Sequence, residues 1–117
     1  MLWLICLSAQ AIDGDTLRCA DGVRIRVAGI EANEMRGGCH LPVCPTISGP
    51  DGKLWMERQV GGKDLRYSPV GKTWKRISAI VRLPSGQDLS CAAIRAGVAV
   101  RWERYDREGR LLRCPTD

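Results

Sequence analysis

Asp13, Asp15, Glu31 and Glu34 place four carboxylates in the stretch 12–34, IDGDTLRCADGVRIRVAGIEANE, and Arg26 lies among them in surroundings too apolar for a merely solvated charge cluster. Carboxylate oxygens hold a hard cation, and a guanidinium presents a planar fork that two oxygens of an anion can fill. Together they are the groups that metal-assisted attack on a phosphate ester needs. Arg76 supplies a second fork further along. Each of these residues also has an ordinary use. Asp13 and Asp15 flank Gly14 as turn formers do. Arg24 and Arg26 share one strand face, so one of them can simply be solvated. Glu31 and Glu34 can be a polar strand end and a surface charge, and Arg76 one more member of a basic face with Lys72 and Lys75.

A hairpin must do the positioning. Residues 16–19 and 23–27 are short alternating segments joined by Ala20-Asp21-Gly22, the pattern of two strands around an Asp-Gly turn. Asp15 then lies where the first turn feeds a strand, and Glu31 and Glu34 where the second strand has ended. Antiparallel pairing can bring those two points together.

IDGDT followed by RIRVAGIEANE resembles the opening signature of the staphylococcal nuclease-like, or thermonuclease, domain, whose usual form is DGDT and then RLxGIDAPE. Arg76-Ile77-Ser78-Ala79, followed by LSCAAIRAGVAV, is similar to that family's R-x-x-A strand and its NEALVRxG helix. One DGDT carries little weight; three blocks in the family's order and spacing, over residues 10–112, carry much more. The resemblance implies a mainly β fold, a five-stranded OB-fold barrel packed by two or three α-helices. It also implies a monomeric calcium-dependent nuclease that hydrolyses single- or double-stranded DNA or RNA with little sequence preference, since phosphate contacts hold the chain without reading bases. In the family's register Asp15 and Glu31 ligate Ca2+ with the backbone carbonyl of Ala32, and Asp13 lies near the ion. Glu34 faces the attacking water, and Arg26 and Arg76 clamp the phosphate. Five departures bear on this, two of them in the approach to Arg76, where Lys72 stands for a common aspartate and Lys75 for the usual glycine. Glu31 stands for an aspartate and carries its carboxylate one methylene further. Asn33 replaces the proline before Glu34 and loosens the turn that aims it. Cys91 replaces the glutamate of the family's helix.

At 117 residues the chain suits one modest core. Residues 12–113 read as that single domain, and 1–11 either as a truncated signal segment, ending in Ala9-Gln10-Ala11, or as the first strand. Neither reading supplies the ~20 apolar residues of a membrane span. A formal net charge of +5 favours polyanionic partners, although small basic proteins carry such a balance for solubility as well. Six cysteines suit an oxidising compartment, and hence a secreted or periplasmic protein; a complete chain whose first strand lies at 7–12 suits the cytoplasm. Cys39 and Cys44 bracket His40 in a loop with Gly and Pro. A disulfide, a structural zinc that borrows thiolates from Cys19, Cys91 or Cys114, and free thiols all stand as readings. His40, the chain's only histidine, reads as a surface or loop-packing residue rather than a general base.

Elsewhere the pattern predicts a linker over 46–52, a helix over 53–60 ended by Gly61-Gly62, and strands over 63–67 and 74–83 with a basic loop at 68–72 between them. Ser90 reads as the cap of a helix over 91–98, and 101–113 as a terminal helix laid on the barrel by Trp102 and Tyr105. The tryptophans read as core or edge residues rather than stacking platforms. The rival functional readings are a noncatalytic OB-fold module that binds nucleic acid or protein, and a zinc- or disulfide-stabilised interaction protein.

Overall fold

The computed structural model describes residues 1–115. Its strands are β1 (Leu4–Cys6), β2 (Gln10–Ala11), β3 (Thr16–Arg18), β4 (Arg24–Val27), β5 (Ile30–Ala32), β6 (Leu65–Thr73), β7 (Arg76–Arg82) and β8 (Ala99–Arg101). Its helices are α1 (Gly49–Val60) and α2 (Leu89–Arg95). The Asp-Gly hairpin forms as its alternation predicts: β3 and β4 are antiparallel, with Thr16 opposite Arg26 and Leu17 opposite Ile25, and Gly22 takes the left-handed φ of 90° at the turn. Period 2 sends Leu17, Ile25 and Val27 into the core, leaves Arg24 exposed and holds Arg26 half-buried on the other face. The two arginines on one face are thereby told apart.

The five-stranded OB-fold barrel is not what the chain builds. Strands run in the order β1-β6-β7-β4-β3-β2 in a six-stranded sheet that curls through 225° and stays open, and β5 pairs with β8 in a separate ribbon. Two local features account for this. Gly29, at φ 79°, turns the chain out of line after β4, and Ile30–Ala32 therefore leave the sheet. The edge strands β1 and β2 are only three and two residues long and pair inward with β6 and β3 rather than with each other. Helix α1 packs against β2, where Glu57 Oε1 accepts the Ala11 N–H at 2.8 Å. Its buried side, Gly49, Gly52, Met56 and Val60, follows helical spacing.

Other boundaries shift for equally local reasons. Helix α1 begins within the expected linker, because Ser48 accepts the Asp51 N–H and Pro50 falls in the first turn. The expected basic loop at 68–72 is the second half of β6, which accommodates Pro69 at a register shift between Pro69 and Gly71. Trp74 and Lys75 form the turn before β7, both at positive φ. Asp88, not Ser90, caps α2; the buried Ser90 hydroxyl instead donates to the Ala28 carbonyl at 2.8 Å. No terminal α-helix forms. Residues 103–105 and 110–113 are single 3-10 turns, because Asp106 accepts from Arg101 and from the Leu111 N–H and folds the segment back on itself.

All six cysteines are paired, Cys6 with Cys19, Cys39 with Cys44 and Cys91 with Cys114, which leaves no thiolate for zinc and no free thiol. The first pair ties β1 to the end of β3, and residues 1–11 contribute two strands of the sheet. Among the described residues no helix is long and apolar enough to cross a membrane. The 13-residue separation of Cys6 and Cys19 implies that the double variant Cys6→Ser, Cys19→Ser loses about 3 kcal/mol of stability through a freer unfolded chain, read as a lower urea midpoint under oxidising conditions.

Candidate functional site

Pairing of β3 with β4 and of β4 with β7 sets Thr16 opposite Arg26 and Arg26 opposite Ser78, with Arg76 at the start of β7. The turn at Gly29 then swings Glu31 back toward the same end of the sheet. The result is one continuous line of polar contacts. Arg76 Nη1 donates to Thr16 Oγ1 at 3.1 Å, and Thr16 Oγ1 donates to Asp15 Oδ1 at 3.0 Å. Arg26 Nη1 reaches Asp15 Oδ2 at 2.9 Å and Arg26 Nη2 reaches Glu31 Oε1 at 3.1 Å. His40 Nδ1 lies 2.7 Å from Glu31 Oε2, and His40 Nε2 lies 3.2 Å from Glu34 Oε1. All of these but Thr16 border a cleft of about 550 Å³, whose lining also includes Trp102 and Tyr105.

Asp15 and Glu31 are buried, at 5% and 3% exposure, and Arg26 compensates both. Burial alone would raise the Asp15 carboxyl, but the charge of Arg26 and the hydrogen bonds it receives hold it below the ordinary 3.8. The same pairing outweighs burial at Arg26 and raises its pKa. Asp13 goes the other way. Burial first, and then the negative charge of Asp15, push it up to about 6, while its Oδ1 accepts the Asp15 N–H at 2.9 Å.

The sequence-predicted residues therefore meet, but not as a calcium centre. Among the described residues no three His, Cys, Asp or Glu side chains converge to hold a metal. Both oxygens of Asp15 and both of Glu31 already accept protein donors, Ala32 among them: it turns its N–H, not its carbonyl, on Asp15 Oδ2 at 3.0 Å. The donor chemistry is that of a calcium site, yet the arrangement offers no open position, and Arg26 lies where a cation between the two carboxylates would lie. The residues as arranged do not fit the ion.

Three participants escaped the sequence reading. Thr16 links Arg76 to Asp15, and its only signal was its place in DGDT. His40 lies in the site rather than on an indifferent surface. Trp102 is a wall of the cleft: its N–H donates to the Gly29 carbonyl at 2.8 Å, its ring packs edge-on against Tyr105 at 4.9 Å, and the Arg26 guanidinium lies 5.7 Å from its centroid. Neither protein-family models nor curated proteins give a match to this chain.

Glu34 owes its place to its neighbours' backbones. Its N–H donates to the Gly38 carbonyl, and Asn33 Nδ2 donates to the carbonyls of Pro45 and Ile47 at 2.9 and 2.7 Å. A Cβ on Gly49 would run into the Glu34 backbone carbonyl. Gly49→Ala should therefore displace Glu34 and cost about 2 kcal/mol, measured by chemical denaturation, because the clash is with backbone.

Asp13 gives a pH signature. Its folded carboxyl titrates at about 6 against 3.8, so the native state retains its proton between these values, and stability falls as pH rises through that window. Asp13→Asn keeps the acceptor oxygen and removes the titration. In chelator it should be more stable than the parent above pH 6, with the difference closing by pH 3.8, in urea denaturation at the two ends.

Proposed function

We propose that the protein hydrolyses phosphodiester bonds of DNA or RNA with little sequence preference. The observation that carries this reading is the unbroken line from Arg76 through Thr16, Asp15, Arg26, Glu31 and His40 to Glu34 around one cleft. These groups come from the first two of the three blocks that resemble the staphylococcal nuclease-like domain, and from the loop after the first. Arg76 gives one N–H to Thr16, so the rest of its fork can hold a phosphate and stabilise the charge that builds as water attacks phosphorus. Arg26, with both Nη atoms on carboxylates and the Ile30 carbonyl, contributes positive charge at close range rather than a free fork. Glu34, at the exposed rim, takes the proton of the attacking water. A net charge of +5 draws the polyanion in. Three disulfides point to an oxidising compartment such as the periplasm or the extracellular space. The family resemblance makes calcium the ion to supply in the assay, and no step above depends on it.

A noncatalytic module that binds nucleic acid is favoured by one observation, the saturation of Asp15 and Glu31 by protein donors. Cleavage of end-labelled single-stranded DNA, duplex DNA and RNA, with calcium and with chelator, decides between the two. Hydrolysis should fall about a hundredfold or more in Arg76→Ala with the fold unchanged. Binding without product in every condition would support the module instead. Arg26→Ala is a poor control, since it strands two buried carboxylates and should destabilise the fold by about 3 kcal/mol or more, visible as a lower melting temperature.

A further inference from the structure

Glu34 is the one acid of the site whose side chain is largely exposed, at 57%, and its residue-level support is unusual. The position before it holds Asn33, whose side chain fastens the carbonyls of Pro45 and Ile47 and does not touch the Glu34 carboxylate. Among the described residues that carboxylate has one polar side-chain partner, His40 Nε2 at 3.2 Å. His40 itself is held from several sides. Its backbone N–H donates to Glu31 Oε2 at 2.8 Å and its Nδ1 lies 2.7 Å from the same oxygen. Its ring lies nearly parallel to Trp102, with 15° between the planes and 6.2 Å between centroids. The loop that carries it is closed by Cys39–Cys44, and Glu31 is anchored in the β5–β8 ribbon opposite Val100.

We propose that His40 is the positioning residue for Glu34. With both ring nitrogens protonated, the ring donates Nδ1–H to Glu31 and Nε2–H to one Glu34 oxygen and leaves the other to accept a proton from water, which supplies the aim that a proline before Glu34 would otherwise give. The longer side chain of Glu31 belongs to the same device, since its second oxygen accepts the His40 backbone N–H and lies against Nδ1 of the same residue. This inference rests on the hydrolytic reading of the cleft, and its test has an arm that does not.

Asparagine and glutamine separate the two ring contacts, because the amide of His40→Asn falls near Nδ1 and that of His40→Gln near Nε2. At saturating substrate, single-turnover cleavage should slow roughly tenfold to a hundredfold in His40→Ala and His40→Asn. His40→Gln should recover most of the rate, and KM should stay within about twofold throughout. Full activity in His40→Asn with loss in His40→Gln would overturn the proposal and leave His40 as a structural ligand of Glu31. The second arm needs no turnover. His40 is the only histidine, so its ring 15N resonances are unambiguous. Glu34→Gln should displace the Nε2 resonance far more than the Nδ1 resonance. An Nε2 resonance indifferent to Glu34→Gln overturns the proposal whether or not the protein cleaves. A displaced one in a protein that cleaves nothing upholds the contact and sinks the hydrolytic reading alone.

Discussion

Arg26 lies between two buried carboxylates, and the rest of the site is arranged around that fact. Asp15 and Glu31 have almost no access to water, and a buried carboxylate without a partner is among the most destabilising groups a small domain can hold. The guanidinium satisfies one oxygen of each. The two remaining oxygens are taken by Thr16 and His40, and the Ala32 N–H shares Asp15 Oδ2 with the guanidinium, so each neighbour has its direction fixed by a carboxylate that is itself fixed. Removing Arg26 would disturb every one of these contacts. Removing Arg76, whose link is a single hydrogen bond to a hydroxyl, would not.

The backbone that makes this possible is a sheet interrupted at one glycine. Up to Val27 the chain obeys the strand pattern and presents Arg26 to the outer face; at Gly29 it turns, and β5 crosses to pair with β8 instead of continuing the curl. A Cβ at Gly29 would also lie 2.9 Å from Leu111, so the turn doubles as a close contact with the C-terminal segment. That departure brings Glu31 back toward Asp15 and extends the ribbon to Trp102, which lines the cleft. The same turn keeps the sheet open.

Local chemistry made much of this legible. The alternation of residues 16–27 and the Asp-Gly turn dictate the hairpin; that Asp13, Asp15, Arg26, Glu31, Glu34 and Arg76 lie near one another is what the family resemblance implies, and all six border one cleft. What the sequence could not show was partner choice. Nothing in the spacing says that Arg26 faces carboxylates rather than solvent or a ligand, or that Ala32 offers its N–H. The terminal helix failed because Asp106 captures Arg101 and the Leu111 N–H, a competition between side-chain and helical hydrogen bonds that a three-residue aromatic spacing does not reveal. The place of His40 depends on the Cys39–Cys44 closure, which sequence alone leaves open against zinc and free thiols. Closure of the sheet depends on the length of its edge strands, which are too short to meet and which no periodicity in residues 1–11 marks.

The cleft's claim to a phosphodiester is tested most directly by titrating the protein with a thymidine dinucleotide in chelator and following the arginine side-chain 15Nε resonances. Arg76 and Arg26 should shift together, with the Trp102 indole moving in the same titration, since all three border the cleft. Shifts confined to the exposed β6–β7 turn at Trp74 and Lys75, with Arg26 and Arg76 unmoved, would place the polyanion elsewhere and contradict the assignment of this site.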